Sequence, residues 1–377
     1  MKKYFSFAAL AAVAALGFTS CDDQDSAPVL EQVTTSEGVF VVNSGNQSGK
    51  IDGSLTYYDY NTKTATQNVY QAANGKSLGV TLPGCVVYGS KLYVVGSVES
   101  TVFIADRKTL KEIATVKTEV DGAGVKGRHA VAGGGYVFVA SYANTVFAID
   151  TLTNTITKTF KSGDYSDGIC YQDGYLYTGD TDYGRYGKET HGTPSVTKIN
   201  VATGESTIIT NEKFRNPTDI VSVDGRIFVQ DKGYYGGENG GQIEQNLYEL
   251  AADGSIKKEI GEASTIAAGN DKIYIISAPY KGHAPEYKVY DVKSDELKTF
   301  CKGDEVKYPN MISVDPVKNI VYITSYQLKS GTTSADYKAA GYVVMYDGTS
   351  GACLGQFECG VGGGAVIPNT KVEKVFK

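Results

Sequence analysis

Short runs of apolar residues alternate with turn residues along most of this chain. Runs such as "LYVVGS", "VFVASY" and "IYIISA" are rich in β-branched and aromatic residues, and glycine, asparagine or aspartate separates them from the next run. This composition and spacing are typical of β-strands joined by tight turns. The pattern therefore predicts an all-β protein.

The strands recur as a repeat of four. Seven segments end a strand in a similar turn, namely "LTYYDYNT", "VFIADRKT", "VFAIDTLT", "VTKINVAT", "LYELAADG", "YKVYDVKS" and "VVMYDGTS". A second apolar strand precedes each segment, a third precedes most of those, and a fourth follows the turn. The turn positions recur about every 40 to 56 residues, which is within the range of propeller repeats. Seven repeats of four strands predict a seven-bladed β-propeller.

The two ends of the chain are predicted to complete one blade. The first repeat begins at "GVFVVNSG" without a leading strand, and the chain ends in "GVGGGAVIPN", which fits the missing innermost strand. A ring closed in this way removes an exposed sheet edge. An open β-solenoid would leave the last strand without a partner.

The N-terminus indicates export. "MKKYFSFAALAAVAALGFTSC" begins with Lys2 and Lys3, and its apolar run from Phe5 to Phe18 is short for a membrane span, so residues 1–20 are predicted to be a signal peptide. The end of this segment resembles a bacterial lipobox, which implies lipidation of Cys21, although Phe18 stands where that pattern prefers leucine. The alternative is an ordinary secreted protein with an incidental cysteine.

The next segment, "CDDQDSAPVLEQVTTSEG", has no apolar period and is predicted to be a flexible tether over residues 21–36. Its acidic start is similar to the export signal of surface lipoproteins in Bacteroidetes. We therefore expect a propeller over residues 37–377, anchored by lipid in the outer membrane and facing the cell exterior.

Loop lengths predict which face of the propeller binds a ligand. Strands one and two, and strands three and four, are joined by minimal turns on one face. Strands two and three are joined on the other face, where blades one, four, five, six and seven carry long loops. Long surface loops are tolerated and often carry function. The glycine- and tyrosine-rich stretch "DKGYYGGENGG" is one of these predicted binding loops.

The predicted ligand-binding residues come from these loops and from the links that join strand four of one blade to strand one of the next. They are Arg128, His129, Tyr165, Asp167, Tyr183, Arg185, Tyr186, Arg215, Asn216, Lys232, Tyr234, Tyr235, Tyr280, His283, Tyr308, Asn310 and Tyr326; Tyr287 and Tyr337 are further tyrosines assigned to the loops. Tyrosine combines a broad, stiff contact surface with one hydroxyl. The set predicts a wide site for a large, flat ligand rich in amide or hydroxyl groups; the alternative for each tyrosine is packing between blades.

Composition excludes several other functions. The net charge of −6 and the lack of a basic cluster argue against nucleic-acid binding. The six cysteines show no CxxC spacing and there is no HxxxH, so no zinc site is predicted. No catalytic motif occurs, and we expect a non-enzyme without a cofactor. Propeller lactonases and lyases stay open as an alternative, because their sites draw single residues from several blades.

The blades "KLYVVGSVESTVFIADRKTLKEIATVKT" and "GYVFVASYANTVFAIDTLTNTITKTF" resemble the YncE-like propellers. Together with the lipobox and the tether, "YPNMISVDPVKNIVYITSY" resembles the Bacteroidetes surface lipoproteins of that group, which include the BtuG type. That resemblance implies capture of cobalamin or another corrinoid for a TonB-dependent transporter, with membrane contact only through the lipid anchor. A glycan-binding lipoprotein ranks second, since the chain has no tryptophan; a protein–protein scaffold is a weaker alternative.

Overall fold

A computed structural model describes residues 30–183 and 192–376 of the chain. The predicted seven-bladed β-propeller is confirmed: within the described residues, strands form seven antiparallel four-stranded sheets. We number the strands of each blade from one, next to the axis, to four, at the rim. The predicted signal peptide and Cys21 lie outside the described residues.

The four strands of a blade follow one another from the axis to the rim. Blade one comprises Gly363–Phe376, Leu30–Asn43, Ser54–Asp59 and Thr64–Thr66; blade two, Gly84–Tyr88, Lys91–Gly96, Thr101–Asp106 and Glu112–Lys117; blade three, Gly127–Gly133, Tyr136–Ser141, Thr145–Asp150 and Thr155–Lys161; blade four, Ser166–Gln172, Tyr175–Asp180, Ser195–Asn200 and Ser206–Ile209; blade five, Pro217–Val223, Arg226–Asp231, Asn246–Leu250 and Ile256–Gly261; blade six, Thr265–Gly269, Lys272–Ser277, Glu286–Asp291 and Glu296–Cys301; and blade seven, Pro309–Asp315, Ile320–Ser325, Ala340–Asp347 and Cys353–Val361.

Smaller elements lie in the connections. One two-stranded hairpin joins Glu119–Val120 to Ala123–Gly124, and another joins Tyr234–Tyr235 to Gln242–Ile243. A short α-helix, Val69–Asn74, packs its buried Tyr70 against blade two, and a 3₁₀ turn spans Glu238–Gly240. No helix in the described ranges is long and apolar enough to cross a membrane.

The C-terminal strand closes the ring as predicted. Gly363–Phe376 pairs with Leu30–Asn43, with Ile367 opposite Phe40 and Val366 opposite Val41. Strand one of every blade contacts strand one of both neighbouring blades, including blade one between blades seven and two. Every blade is therefore held from both sides.

The N-terminal strand begins earlier than the tether prediction allows. Residues 30–36 lie within the predicted tether, yet they pair with residues 370–376 in a ladder that continues past a β-bulge between Ser36 and Val39. Much of this extension is polar and partly exposed; Val372, for example, is 63% exposed. A ribbon with so few buried side chains lacks the apolar period by which strands are recognised in sequence.

The repeating turn aspartate stabilises the hairpin of strands three and four. Asp106 Oδ1 accepts hydrogen bonds from the backbone N–H groups of Lys108 (3.1 Å) and Thr109 (2.8 Å), and Asp150 does the same for Leu152 and Thr153. The hydrogen bond from the Thr109 N–H is the main reason that the pKa of Asp106 lies below its ordinary value. These are Asx turns, so the most regular polar residue of the repeat is structural.

The core lies between the faces of neighbouring blades. Tyr93 and Val95 of blade two, for example, pack with Val137, Val139 and Phe147 of blade three, and all are buried. Strand four of each blade faces the rim and exposes polar residues. The interior of the ring is thus a series of apolar layers that fixes the loops at both ends of the disc.

Candidate functional site on the loop face

Buried polar residues at the end of strand two position the links between blades. Asp231 accepts hydrogen bonds from the N–H groups of Arg215 and Asn216, each at 2.8 Å, and Asp180 accepts four from the hydroxyls of Ser166, Thr178, Ser195 and Thr197. Burial outweighs these hydrogen bonds and raises the pKa of both carboxyl groups to about 6. Side chains in the links are therefore held on a rigid frame.

A cavity of about 300 Å³ lies on the propeller axis. It is located where the innermost strands begin, so it opens on the face that carries the links and the loops between strands two and three, which we call the loop face. All seven blades contribute to its lining, through Ser44, Gly45, Thr81, Leu82, Pro83, Arg128, His129, Asp167, Thr218, Asp219, Gln230, Lys232, Ser264, Thr265, Asn310, Met311, Tyr326, Gly362, Gly364 and Ala365.

Asp167 is the centre of a polar network in this cavity. Arg128 donates two hydrogen bonds to it, from Nε to Oδ1 (2.9 Å) and from Nη2 to Oδ2 (3.0 Å). His129 Nδ1 lies 3.0 Å from Oδ1, and the hydroxyl of Tyr142 donates to Oδ2 at 3.1 Å. The guanidinium of Arg128 also lies 4.6 Å from the centre of the Tyr142 ring. Blades three and four are thereby joined through one carboxylate.

The network sets the charge of the cavity. Burial opposes ionisation of Asp167, but the charge of Arg128 and the hydrogen bond from His129 outweigh it, so the pKa of Asp167 lies well below its ordinary value. Burial also disfavours the charged imidazole of His129, yet Asp167 and then Asp219 hold its pKa above the ordinary value. Burial raises the pKa of Asp219 itself. Each fixed charge thus faces a partner of opposite sign.

Tyrosines form three groups on the loop face. Tyr142, Tyr165 and Tyr183 form one group, with ring centres 4.6 to 5.7 Å apart. Tyr308, Tyr326 and Tyr337 form a second, with separations of 4.9 to 6.3 Å. In the third, Tyr235 and Tyr280 meet edge to face at 5.9 Å, and about half of each side chain is exposed. The loop face therefore presents aromatic surface on blades three to seven.

The loops of blades five and six form one unit. Gln242 donates its N–H to the carbonyl of Tyr280 (2.9 Å), and Lys281 Nζ donates to the carbonyl of Asn239 (2.7 Å). Gly233 starts the blade-five hairpin at φ +61°, where a Cβ would lie 1.9 Å from the carbonyl oxygen of Ile243. Only glycine fits that position, which accounts for the first glycine of "DKGYYGGENGG".

His283 fastens the blade-six loop to the disc. Its Nε2 lies 2.7 Å from Glu262 Oε1, and its Nδ1 lies 2.6 Å from the carbonyl oxygen of Ala284. The hydrogen bond to Ala284 is the largest influence on its pKa, and with Glu262 it raises the pKa above the ordinary value. A cleft of about 500 Å³ separates this loop from Tyr308 and Thr333.

Most of the predicted site residues fall into two sets. Arg128, His129, Asp167, Lys232, Asn310 and Tyr326 line the axial cavity. Tyr165, Tyr183, Tyr235, Tyr280 and Tyr308 belong to the aromatic groups, and Tyr234 donates its hydroxyl to Glu244 at 3.2 Å. Predicted residues Arg185 and Tyr186 lie outside the described residues.

Two residues that were predicted to bind ligand instead hydrogen-bond neighbouring connections on the loop face. Arg215 bonds Glu244 through Nε (2.6 Å) and the carbonyl of Glu212 through Nη1 (2.5 Å). Asn216 Oδ1 accepts the N–H of Asp182 at 3.1 Å. Neither residue lines the axial cavity.

Tyr287, predicted in a loop, lies instead in strand three of blade six and is 4% exposed, because the apolar alternation extends further toward the loop face than predicted.

Two residues of the network were missed from sequence. Tyr142 stands in "SYANT", a short loop between strands two and three of blade three, and Asp219 stands inside the strand "PTDIVSV". The tyrosine of "SYANT" was a usable signal, because it directly follows strand two on the loop face. Nothing local distinguishes Asp219, since its importance depends on His129 in another blade.

Comparisons with known proteins support the fold. Residues 37–131 match the model of a domain of unknown function, DUF5074. No curated protein matches the chain. The computationally designed Ika8 protein is similar in structure, with a TM-score of 0.55 and 11% identity over 90% of this chain and 97% of that one. The WD40 domain of Neurospora crassa Pan2 gives a TM-score of 0.51 and 11% identity over 74% of this chain and 85% of that one. At this identity the likeness concerns the fold alone.

Other clefts are less suited to a specific ligand. One of about 680 Å³ lies on the rim between Thr210–Lys213 and Ser255–Glu259, and another of about 440 Å³ lies beside Arg226 and Glu249. Each is lined by only two neighbouring blades.

Among the described residues, no group of three or more histidine, cysteine, aspartate or glutamate side chains could hold a metal ion. The axial cavity with its tyrosine groups is therefore the candidate site.

Proposed function

We propose that the loop face captures a large, flat ligand rich in amide or hydroxyl groups, and that this ligand is cobalamin or another corrinoid. The observation that carries the proposal is that three tyrosine groups share one face of the propeller with a polar cavity lined by all seven blades. The resemblance of the blades to the YncE-like propellers, and of the chain to BtuG-type lipoproteins, selects the corrinoid within that class.

The geometry favours a ligand whose polar groups are neutral. Arg128 is the cation closest to the centre of the polar network, but its Nε–Nη2 edge is already used in a bidentate ion pair with Asp167. A ligand anion would have to compete with that carboxylate. Hydroxyls of the tyrosine groups and polar groups around the cavity instead suit carboxamides, which both donate and accept hydrogen bonds.

The site is largely preformed, which favours tight binding. Hydrogen bonds connect the loops of blades five and six to each other, and the ion pair of Arg128 with Asp167 connects blades three and four. Little side-chain and loop entropy would then be lost on binding. Broad, stiff tyrosine rings add contact area at low entropic cost.

The direction of the first strand agrees with a surface-anchored receptor. Leu30–Asn43 is strand two of blade one, so it ends at the loop face and Leu30 lies on the opposite side of the disc. A lipid anchor at Cys21 would therefore leave the loop face directed away from the membrane. In this proposal the protein is an outer-membrane lipoprotein that passes its ligand to a TonB-dependent transporter.

Calorimetric titration tests the function. Protein without the signal peptide and Cys21 is titrated with cyanocobalamin, and a one-to-one complex of sub-micromolar affinity is expected. Absence of heat, together with an unchanged melting temperature at saturating cyanocobalamin, would refute the corrinoid proposal. Binding to an oligosaccharide array in that case would instead support a glycan-binding lipoprotein.

A further inference from the structure

We propose that His129 is an axial ligand for a metal centre that the bound molecule carries, such as the cobalt of a corrinoid. The inference rests on the proposed function, because it requires a flat metal chelate on the loop face. It adds to that function one residue, His129, that would distinguish ligands by the group bound at the axial position of their metal.

The two ring nitrogens of His129 have different surroundings. Nδ1 lies 3.0 Å from Asp167 Oδ1, whereas Nε2 has no hydrogen-bond partner among the described residues. The side chain lines the axial cavity and is 31% exposed. Donation from Nδ1–H to the carboxylate fixes the tautomer in which Nε2 keeps its lone pair. A histidine oriented by a carboxylate in this way is the usual arrangement around metal-bound imidazoles.

The surroundings also explain why one nitrogen would suffice. The oxygens of Asp167 are occupied by Arg128, His129 and Tyr142, so this carboxylate orients the histidine and is not itself a ligand. A free divalent ion needs several protein ligands. A metal whose equatorial positions are filled by its own macrocycle needs only one axial donor, and imidazole suits transition metals well.

The step is a ligand exchange without redox change. In aquocobalamin, the bond from cobalt to the axial water breaks, the water leaves, and the Nε2 lone pair forms the new bond to cobalt. In cyanocobalamin that position is held by cyanide. The protein would therefore coordinate the first molecule and bind the second only through contacts around the ring.

Protons and the metal would compete for Nε2 of His129, so the proposed coordination should also depend on pH. The charged groups that face His129 are Asp167 from blade four, Asp219 from blade five, and Arg128 on its own strand. The two carboxylates together favour the protonated imidazole more than Arg128 disfavours it. Because a protonated imidazole cannot coordinate a metal, coordination should weaken as the pH falls.

Absorption spectroscopy of the complete mature protein tests the assignment. Aquocobalamin is expected to show a shift of its visible bands when bound by the wild type, and cyanocobalamin is expected to bind without one. The variant His129→Asn keeps an amide donor near the Nδ1 position but lacks Nε2, so it should bind both molecules and shift neither spectrum. Glu296→Gln, on the exposed strand four of blade six, is the control and should behave as the wild type.

The outcomes separate the two proposals. Calorimetric binding of aquocobalamin with no spectral shift, or a shift that persists in His129→Asn, would overturn the role of His129 while leaving corrinoid capture intact. Failure of the wild type to bind either molecule would refute both. Cyanocobalamin binding by His129→Asn shows that the variant is folded, so that loss of its shift with aquocobalamin supports the assignment.

Discussion

Arg128 of blade three and Asp167 of blade four form a bidentate ion pair at the loop end of the propeller axis, with N–O distances of 2.9 and 3.0 Å. Their side chains are only 18% and 10% exposed. The same carboxylate holds His129 and Tyr142. We therefore expect the stability of the fold and the proposed ligand recognition to depend on the same pair.

Replacing Asp167 with asparagine should destabilise the fold. Arg128 would keep its charge in a mostly buried position without a counter-ion, and breaking such a pair typically costs about 3–5 kcal/mol. Urea unfolding should show the decrease. The control is Glu296→Gln, because Glu296 is 65% exposed and, within the described ranges, its one ion pair is with the exposed Lys298; its effect should stay within about 0.5 kcal/mol. Equal effects of the two substitutions would contradict the role of the buried pair.

Closure of the ring can be tested with two valines on the same strand. Val366 is 2% exposed and packs between blades one and seven, whereas Val372 is 63% exposed on the terminal ribbon. Val366→Ala should lower the free energy of unfolding by about 1–3 kcal/mol through lost burial and a residual cavity. Val372→Ala should have almost no effect. Thermal and urea unfolding of both variants measure the difference, and a larger loss for Val372→Ala would contradict this account of closure.

The sequence was sufficient to predict the blades and their closure because both depend on local signals. The turn aspartates such as Asp106 and Asp150 bond their own hairpins, and the apolar alternation reports burial on each strand. The terminal strand could be assigned because one strand was missing at the start. The ribbon at residues 30–36 could not be predicted from the sequence, since it has backbone pairing but little apolar burial.

Stability should depend on the ionisation of Asp180. Burial raises its pKa to about 6 in the folded protein, above the ordinary value of 3.8. Its contribution to stability is therefore fully present below pH 3.8 and is lost as the pH rises through about 6. Between pH 4 and pH 7, the wild type should lose about 2 kcal/mol relative to Asp180→Asn. Urea unfolding of both proteins across this range measures the difference. A change of opposite sign would show that the four hydroxyl hydrogen bonds outweigh burial.

The imidazole of His283 should titrate above the ordinary histidine pKa. The hydrogen bond with the Ala284 carbonyl and the contact with Glu262 both favour the charged ring. Glu262→Gln should lower this pKa, and the Ala284 contact should retain part of the shift. Histidine NMR signals followed against pH measure it, with Glu296→Gln as the control. No change in Glu262→Gln would show that the ion pair does not form in solution.

The candidate site was only partly predictable. Loop length and tyrosine content identified the loop face and Tyr235, Tyr280 and Tyr326, because connections on one face of a blade can be counted in the sequence. The partnership of His129 with Asp167 was not predictable, since it joins two blades whose relative position depends on packing throughout the ring. Loop length is the wrong criterion for Tyr142, because a short link can place one side chain just as well as a long one.

Affinity for cyanocobalamin, measured in paired tyrosine variants, tests the central claim most directly. Tyr235 and Tyr280 are half exposed on the loop face, whereas Tyr88 and Tyr175 stand at strand ends near the opposite face. Loss of an aromatic anchor typically costs about 2 kcal/mol or more, so Tyr235→Ala with Tyr280→Ala should weaken binding at least about thirtyfold. Tyr88→Ala with Tyr175→Ala should leave the affinity within about threefold of the wild type. Equal affinities of the two double variants, or stronger loss in the second, would contradict capture on the loop face.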